Sequence, residues 1–137
     1  MIKRFYGINI AVKDLDEAVK KYSAVFGNVT LIDPGEFAFP GLKGATIKVG
    51  DVSINLIAST QPNTSIARFL DSKGEGVFLV SVQVDDVAGT MKQVEPAGVQ
   101  FVSKEPMPFG KDKQGKVNFA HPRSMNGVQF EFIQPKE

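Results

Sequence analysis

Hydrophobic positions along this chain change period in a regular order. Ile8, Ile10 and Val12 alternate with Gly7, Asn9 and Ala11, the period-two pattern of a half-buried strand. Asp14 then opens Asp14-Leu15-Asp16-Glu17, an acidic relative of the capping box. Leu15, Ala18, Val19, Tyr22 and Val25 or Phe26 follow at helical spacing, and Gly27 supplies the stop. Residues 28–44 carry Gly and Pro breakers without a firm period and read as a strand and a mobile connection. Strands are expected at Ala45–Val49 and Val52–Ala58, joined by Gly50-Asp51, and a short helix at Ile66–Ser72.

The order then recurs. Val77–Val84 reads as a strand, Asp85-Asp86 caps a helix reaching about Glu95, and Gly98 ends it. Strands are expected near Val99–Ser103, Lys116–Ala120 and Val128–Ile133, with a long connection through Pro106 and Pro108 between the first two. Ala11-Val12-Lys13-Asp14-Leu15 matches Gln83-Val84-Asp85-Asp86-Val87, and Val52-Ser53-Ile54-Asn55-Leu56 matches Val128-Gln129-Phe130-Glu131-Phe132. The chain is thus expected to be one α+β domain over 1–137, built of two tandem βαβββ modules at about 5–60 and 76–134. Their strands form a curved mixed sheet with helices on the outer face. The opposite face forms a cleft or meets a partner.

Composition narrows the chemistry. Sixteen Lys and Arg against fifteen Asp and Glu leave +1, which gives no electrostatic case for nucleic acid or an anionic membrane. No Cys means no disulfide, thiolate ligand or cysteine nucleophile, and one His limits any metal site to carboxylates and amides with a single imidazole. Met1–Tyr6 is basic without an apolar run after it, so no signal peptide is expected. No stretch approaches the roughly eighteen apolar residues of a membrane span. A cytoplasmic protein is the default expectation.

Four stretches go beyond pattern: Ile10-Ala11-Val12-Lys13-Asp14-Leu15 through Gly27; Asn63–Leu70 with Gly74-Glu75-Gly76; Val84-Asp85-Asp86; and His121-Pro122-Arg123-Ser124 leading to Gly127-Val128. On these the chain resembles the vicinal oxygen chelate superfamily (glyoxalases, bleomycin-resistance proteins, extradiol dioxygenases), and within it the methylmalonyl-CoA epimerase branch. The second stretch is the most specific to that branch. The resemblance implies paired βαβββ modules curving around a ligand cleft, usually in a homodimer. It also implies a divalent metal that chelates two substrate oxygens while a glutamate moves the α-proton. The epimerases' ligands, His, Gln or Glu, His and Glu, fall on Gly7, Asn55, Leu79 and Glu131. Only Glu131 matches. The second acid falls near Phe39, or with a small shift on Glu36. One carboxylate without imidazole is too poor a donor set for tight transition-metal binding. No metal and no cofactor are therefore expected.

Alternation places Gly7, Asn9, Ala11, Ser53, Asn55, Ile57, Val77, Leu79, Ser81 and Gln83 on the cleft face, with Lys116, Asn118, Gln129 and Glu131 beside them. From these, Asn9, Asn55, Leu79, Ser81, Asn118 and Gln129 are the expected ligand contacts, and Glu131 is the candidate base. Amides orient carbonyl and hydroxyl groups without demanding charge. Glu131, between Phe130 and Phe132, is either a partly desolvated base or a relic carboxylate held by Asn55, Asn118 or Lys116. His121 reads as a turn residue. No Gly-x-Ser-x-Gly elbow accompanies it. Lys111–Lys116 is a cationic loop, either solvated or facing an anionic group such as coenzyme A, and Gly110-Lys111 lacks the rest of a phosphate loop. Phe37, Phe39, Met107 and Phe109 form an aromatic lid or dimer contacts. Three functions stay open: a metal-free binder of a small organic molecule (an acyl thioester or an aromatic compound), a metal-independent isomerase, epimerase or lyase using Glu131, and a protein interface on the helix-free face.

Overall fold

The computed structural model describes residues 1–136. All strands join one eight-stranded sheet in the order β2-β3-β4-β1-β5-β8-β7-β6, curled into a half-barrel. The first half holds β1 (Ile2–Ala11), helix α1 (Leu15–Phe26), β2 (Thr30–Ile32), β3 (Leu42–Val49) and β4 (Val52–Ser59). Helix α2 (Ser65–Lys73) links it to β5 (Gly76–Val84), helix α3 (Val87–Val94), β6 (Met107–Phe109), β7 (Gly115–Ala120) and β8 (Phe130–Gln134). β1 pairs parallel with β4, β5 parallel with β8, and β1 antiparallel with β5, so the halves meet at the centre of the sheet. This is the expected tandem arrangement.

Burial follows from alternation. Ala45, Ile47, Leu56 and Ala58 point to one face and meet Leu15 and Ala18 of α1. In the second half Val84, Ala120 and Phe132 meet Val87 of α3. Each helix presents one apolar stripe to its half of the sheet, which removes both stripes from water. The helices begin differently. The Asp14 carboxylate accepts from the Glu17 amide at 3.1 Å, a side-chain cap on α1. Asp86 makes no side-chain cap on α3, and the Val87 amide is met instead by Gln134 Oε1 of β8 at 3.0 Å. Helix α2 packs Ile66 against Ala11 and Ile57, closing one end of the concave face.

The second half departs from the expected strand pattern in one place. Val99–Ser103 forms only an isolated bridge, Phe101 to Ala120, and the strand lies at Met107–Phe109, within the expected connection. The reason is a side chain. Asn118 Oδ1 accepts from the Ser103 amide at 3.3 Å and its Nδ2 donates to the Ser103 carbonyl at 2.9 Å. A side-chain amide thereby satisfies backbone groups that a ladder would otherwise pair.

Candidate functional site

The concave face holds a cleft of about 800 Å³. Its floor comes from the four central strands: Asn9 of β1, Asn55 and Ile57 of β4, Leu79 of β5, and Glu131 and Ile133 of β8. Phe37, Phe39, Phe69, Phe78, Phe109 and Phe119 supply most of its wall. Apolar enclosure with a few convergent polar groups is the general form of a small-molecule site.

The polar floor groups fall into pairs across parallel strands. Asn9 and Asn55 are register partners, and Asn55 Nδ2 donates to Asn9 Oδ1 at 2.9 Å. Ser81 and Glu131 are register partners in the other half, and the Ser81 hydroxyl donates to Glu131 Oε1 at 2.7 Å. Ser81 is buried beneath the carboxylate rather than lining the cleft. Glu131 touches the cleft and is otherwise enclosed by protein. Burial pushes its carboxyl up to about 7 despite the opposing Ser81 hydrogen bond. No basic side chain lies within ion-pair distance of it among the described residues.

Of the expected contacts, Asn9, Asn55, Leu79, Gln129 and Glu131 line this cleft together. Asn118 does not. It is fully buried on the opposite face, where Nδ2 also approaches Met91 Sδ of α3 at 3.3 Å and Oδ1 accepts from the Phe119 amide at 2.8 Å. Val117 and Phe119 take the cleft side instead. Alternation holds along β7 but with the opposite phase: the cleft side is apolar, and the buried amide is occupied by backbone groups and the Met91 sulfur. Lys116 likewise lies in a groove beside α3. His121 borders the cleft, but its Nδ1 accepts from the Arg123 amide at 3.2 Å, as a turn residue does.

Tyr6 is a site residue that alternation missed. Register slips between Phe5 and Gly7, and again between Asn9 and Ile10, so strict period two fails along β1. Tyr6 thereby turns into the cleft, with the Arg4 guanidinium 5.0 Å from its ring centroid and Lys48 Nζ 5.9 Å away. Burial foremost, and then the Glu131 charge, push its phenol above the ordinary value. The sequence signal was Gly7, since a lone glycine inside a strand marks bulges and close backbone approaches.

A strap crosses the mouth. Residues 33–40 leave the first half and are held by the hairpin at 110–113 of the second. The Gly110 amide donates to the Glu36 carbonyl at 3.0 Å. Lys113 Nζ donates to the carbonyls of Gly35 and Phe37 at 2.7 and 3.0 Å. Lys111 pairs with Asp33 at 3.7 Å. Phe37 and Phe39 on the strap face inward, Phe39 lying 6.0 Å from the Phe119 ring. Met107 packs under this wall without lining the cleft. The cationic loop is therefore a clasp on the aromatic strap.

The residues do not fit the metal site that the family resemblance implies. A Cβ built on Gly7 would collide with the Ser53 carbonyl oxygen, so no side chain fits there. Leu79 is apolar and buried, and Asn55 is engaged with Asn9. Among the described residues, no three His, Cys, Asp or Glu side chains gather as a metal site would need.

Fold and cleft together define a paired-βαβββ protein with a cleft between its halves. The family model described as Glyoxalase/Bleomycin resistance protein/Dioxygenase superfamily matches residues 7–119, and the chain belongs to that superfamily. The crystal structure of methylmalonyl-CoA epimerase from Mycobacterium tuberculosis is similar at a TM-score of 0.86 and 27% identity, over 99% of this chain and 90% of that one. Mitochondrial methylmalonyl-CoA epimerase of Dictyostelium discoideum is 26% identical over 125 residues, covering 90% of this chain and 74% of its own length. The Bacillus subtilis protein YqjC is 24% identical over 135 residues, covering 98% of this chain and 94% of its own. No helix among the described residues is long and apolar enough to cross a membrane.

Proposed function

We propose that this protein binds a small, largely apolar organic molecule in its cleft, and does so without a metal ion. One observation carries this reading. A cleft of about 800 Å³ with a phenylalanine wall lies over positions where Gly7 and Leu79 stand in place of ligands. An acyl thioester or an aromatic compound fits that wall. Asn9, Asn55 and Gln129 orient the ligand's polar groups. The working unit is a homodimer. Native mass spectrometry of the purified protein tests these points together. A bound organic molecule, no bound metal and a dimeric mass are expected, and stoichiometric metal overturns the metal-free reading.

A second reading has its own support: the Glu131 carboxyl, pushed up to about 7, suits a general base near neutral pH. Here the protein is a metal-independent isomerase, epimerase or lyase in which Glu131 removes a proton α to a carbonyl. With Asn118 turned to the helix face, Asn9, Asn55 and Tyr6 are the donors left for the developing oxyanion. Wild-type protein is expected to exchange deuterium into an acyl thioester or aryl ketone. Glu131→Gln should lower that exchange by about a hundredfold or more, and unchanged exchange excludes Glu131 as the base.

A further inference from the structure

The interior of the cleft is rich in acceptors. Among the described residues Glu131 receives one side-chain donor, the Ser81 hydroxyl at 2.7 Å, although an ionised carboxylate offers about four acceptor positions. A second carboxylate, Glu36, borders the same cleft from the strap, exposed and accepting from the Asp33 amide at 3.3 Å. The aromatic wall adds ring faces, which carry negative quadrupole potential.

The basic side chains nearby are engaged elsewhere. Arg4 donates to Gln83 Oε1 at 3.0 Å and to the Asp51 carbonyl at 2.5 Å, with its guanidinium 5.0 Å from the Tyr6 ring centroid. Lys48 donates to the Ser53 hydroxyl at 2.8 Å. Lys111 and Lys113 hold the strap from outside. Arg68 of α2 does line the cleft, but it donates to the Asn63 carbonyl at 2.6 Å and forms no ion pair with Glu131. None neutralises Glu131.

Resting on the reading of the cleft as a small-molecule site, we propose that its ligand is an organic cation, an amine or quaternary ammonium carried on an apolar body. Its charged head sits on Glu131 and its body lies against the phenylalanines of the wall. A buried acid without a counter-charge is unfavourable when ionised, and a ligand ammonium supplies the missing partner. Ring faces add attraction for the same charge once water is excluded. An acyl thioester of anionic coenzyme A would bring the opposite charge, so the ligand's charge separates the two chemistries.

Three isosteric probes decide the matter by NMR titration at about pH 8, above the Glu131 midpoint of about 7: 4-phenylbutylamine, 4-phenylbutanol and 4-phenylbutyrate. The amine should bind at least about tenfold more tightly than the alcohol, with the carboxylate weakest. Glu131→Gln should lower the amine to about the alcohol's affinity and change the alcohol by less than about twofold. The proposal is overturned if the alcohol or the carboxylate equals the amine on wild-type protein, a comparison independent of how the variant folds. It is also overturned if the amine preference survives in Glu131→Gln. Equal saturable binding of all three leaves the small-molecule reading standing and removes the charge inference. No saturable binding by any probe removes both.

Discussion

Asn55 on β4 and Glu131 on β8 hold equivalent places in the two halves of the sheet, and their neighbours make them chemical opposites. Each strand pairs parallel with the first strand of its own half, and each residue meets a hydrogen-bonding partner there in register. In the first half the partner is Asn9, and two neutral amides share one hydrogen bond. In the second half the partner is Ser81, which gives a partly buried carboxylate one donor and no charge. A duplicated backbone fixes where a side chain sits. The residue across the strand decides whether that position is quiet or reactive.

The largest expected effect lies where the two first strands differ. Gly7→Ala drives a methyl group into the Ser53 carbonyl and should cost about 3 kcal/mol or more. Urea unfolding measures this, and a near-neutral result would show that β1 and β4 can separate to admit a ligand-bearing side chain. Asn118→Ala removes a buried amide that serves backbone groups at Ser103 and Phe119. It should cost about 2–3 kcal/mol. Asn55→Ala, in the open floor of the cleft, should cost less than about 1 kcal/mol by the same assay.

The acid distinguishes the halves through pH. Glu131 has a folded pKa of about 7 against an unfolded value of 4.5, so the folded state holds its proton more tightly between those limits. Native protein then binds more protons than unfolded chain, and stability falls as pH rises through that window, by roughly 3 kcal/mol at the upper end. Glu131→Gln should match wild type near about pH 4.5 and exceed it progressively toward about pH 8. A gap that stays constant with pH would show that the carboxyl is not desolvated.

The smallest effect separates the two outer helices. Asp14→Ala removes a cap from α1 and should cost about 1 kcal/mol, while Asp86→Ala at α3, where no such cap exists, should stay within about 0.5 kcal/mol. Equal losses would mean that Asp86 caps α3 in solution.

Much of the fold was legible because hydrophobic period is local. The alternation of Ile8 and Ile10, the spacing from Leu15 to Tyr22 and the stop at Gly27 report strand, helix and end without reference to distant residues. The candidate site was legible where both the alternation and its phase could be read locally. Asn9, Asn55, Leu79, Gln129 and Glu131 do converge on one cleft. Tyr6 was missed because bulges reset the face of β1, and Asn118 was misplaced because the alternation of β7 has the opposite phase, with the amide serving backbone under α3 and Val117 and Phe119 on the cleft. It failed also at Val99–Ser103, whose ladder that same amide interrupts.

By itself, then, the sequence determined a duplicated α+β plan and the kinds of residue on the cleft strands. It also determined that the chain holds one imidazole, His121. These depend on period, composition and order, all carried by neighbours in the chain. Only the tertiary structure decided that Lys113 clasps the strap, that Tyr6 enters the cleft, and that Glu131 stands there with a serine and no cation. Each rests on which distant backbone or side chain arrives within a few ångströms, and on how much water that arrival displaces.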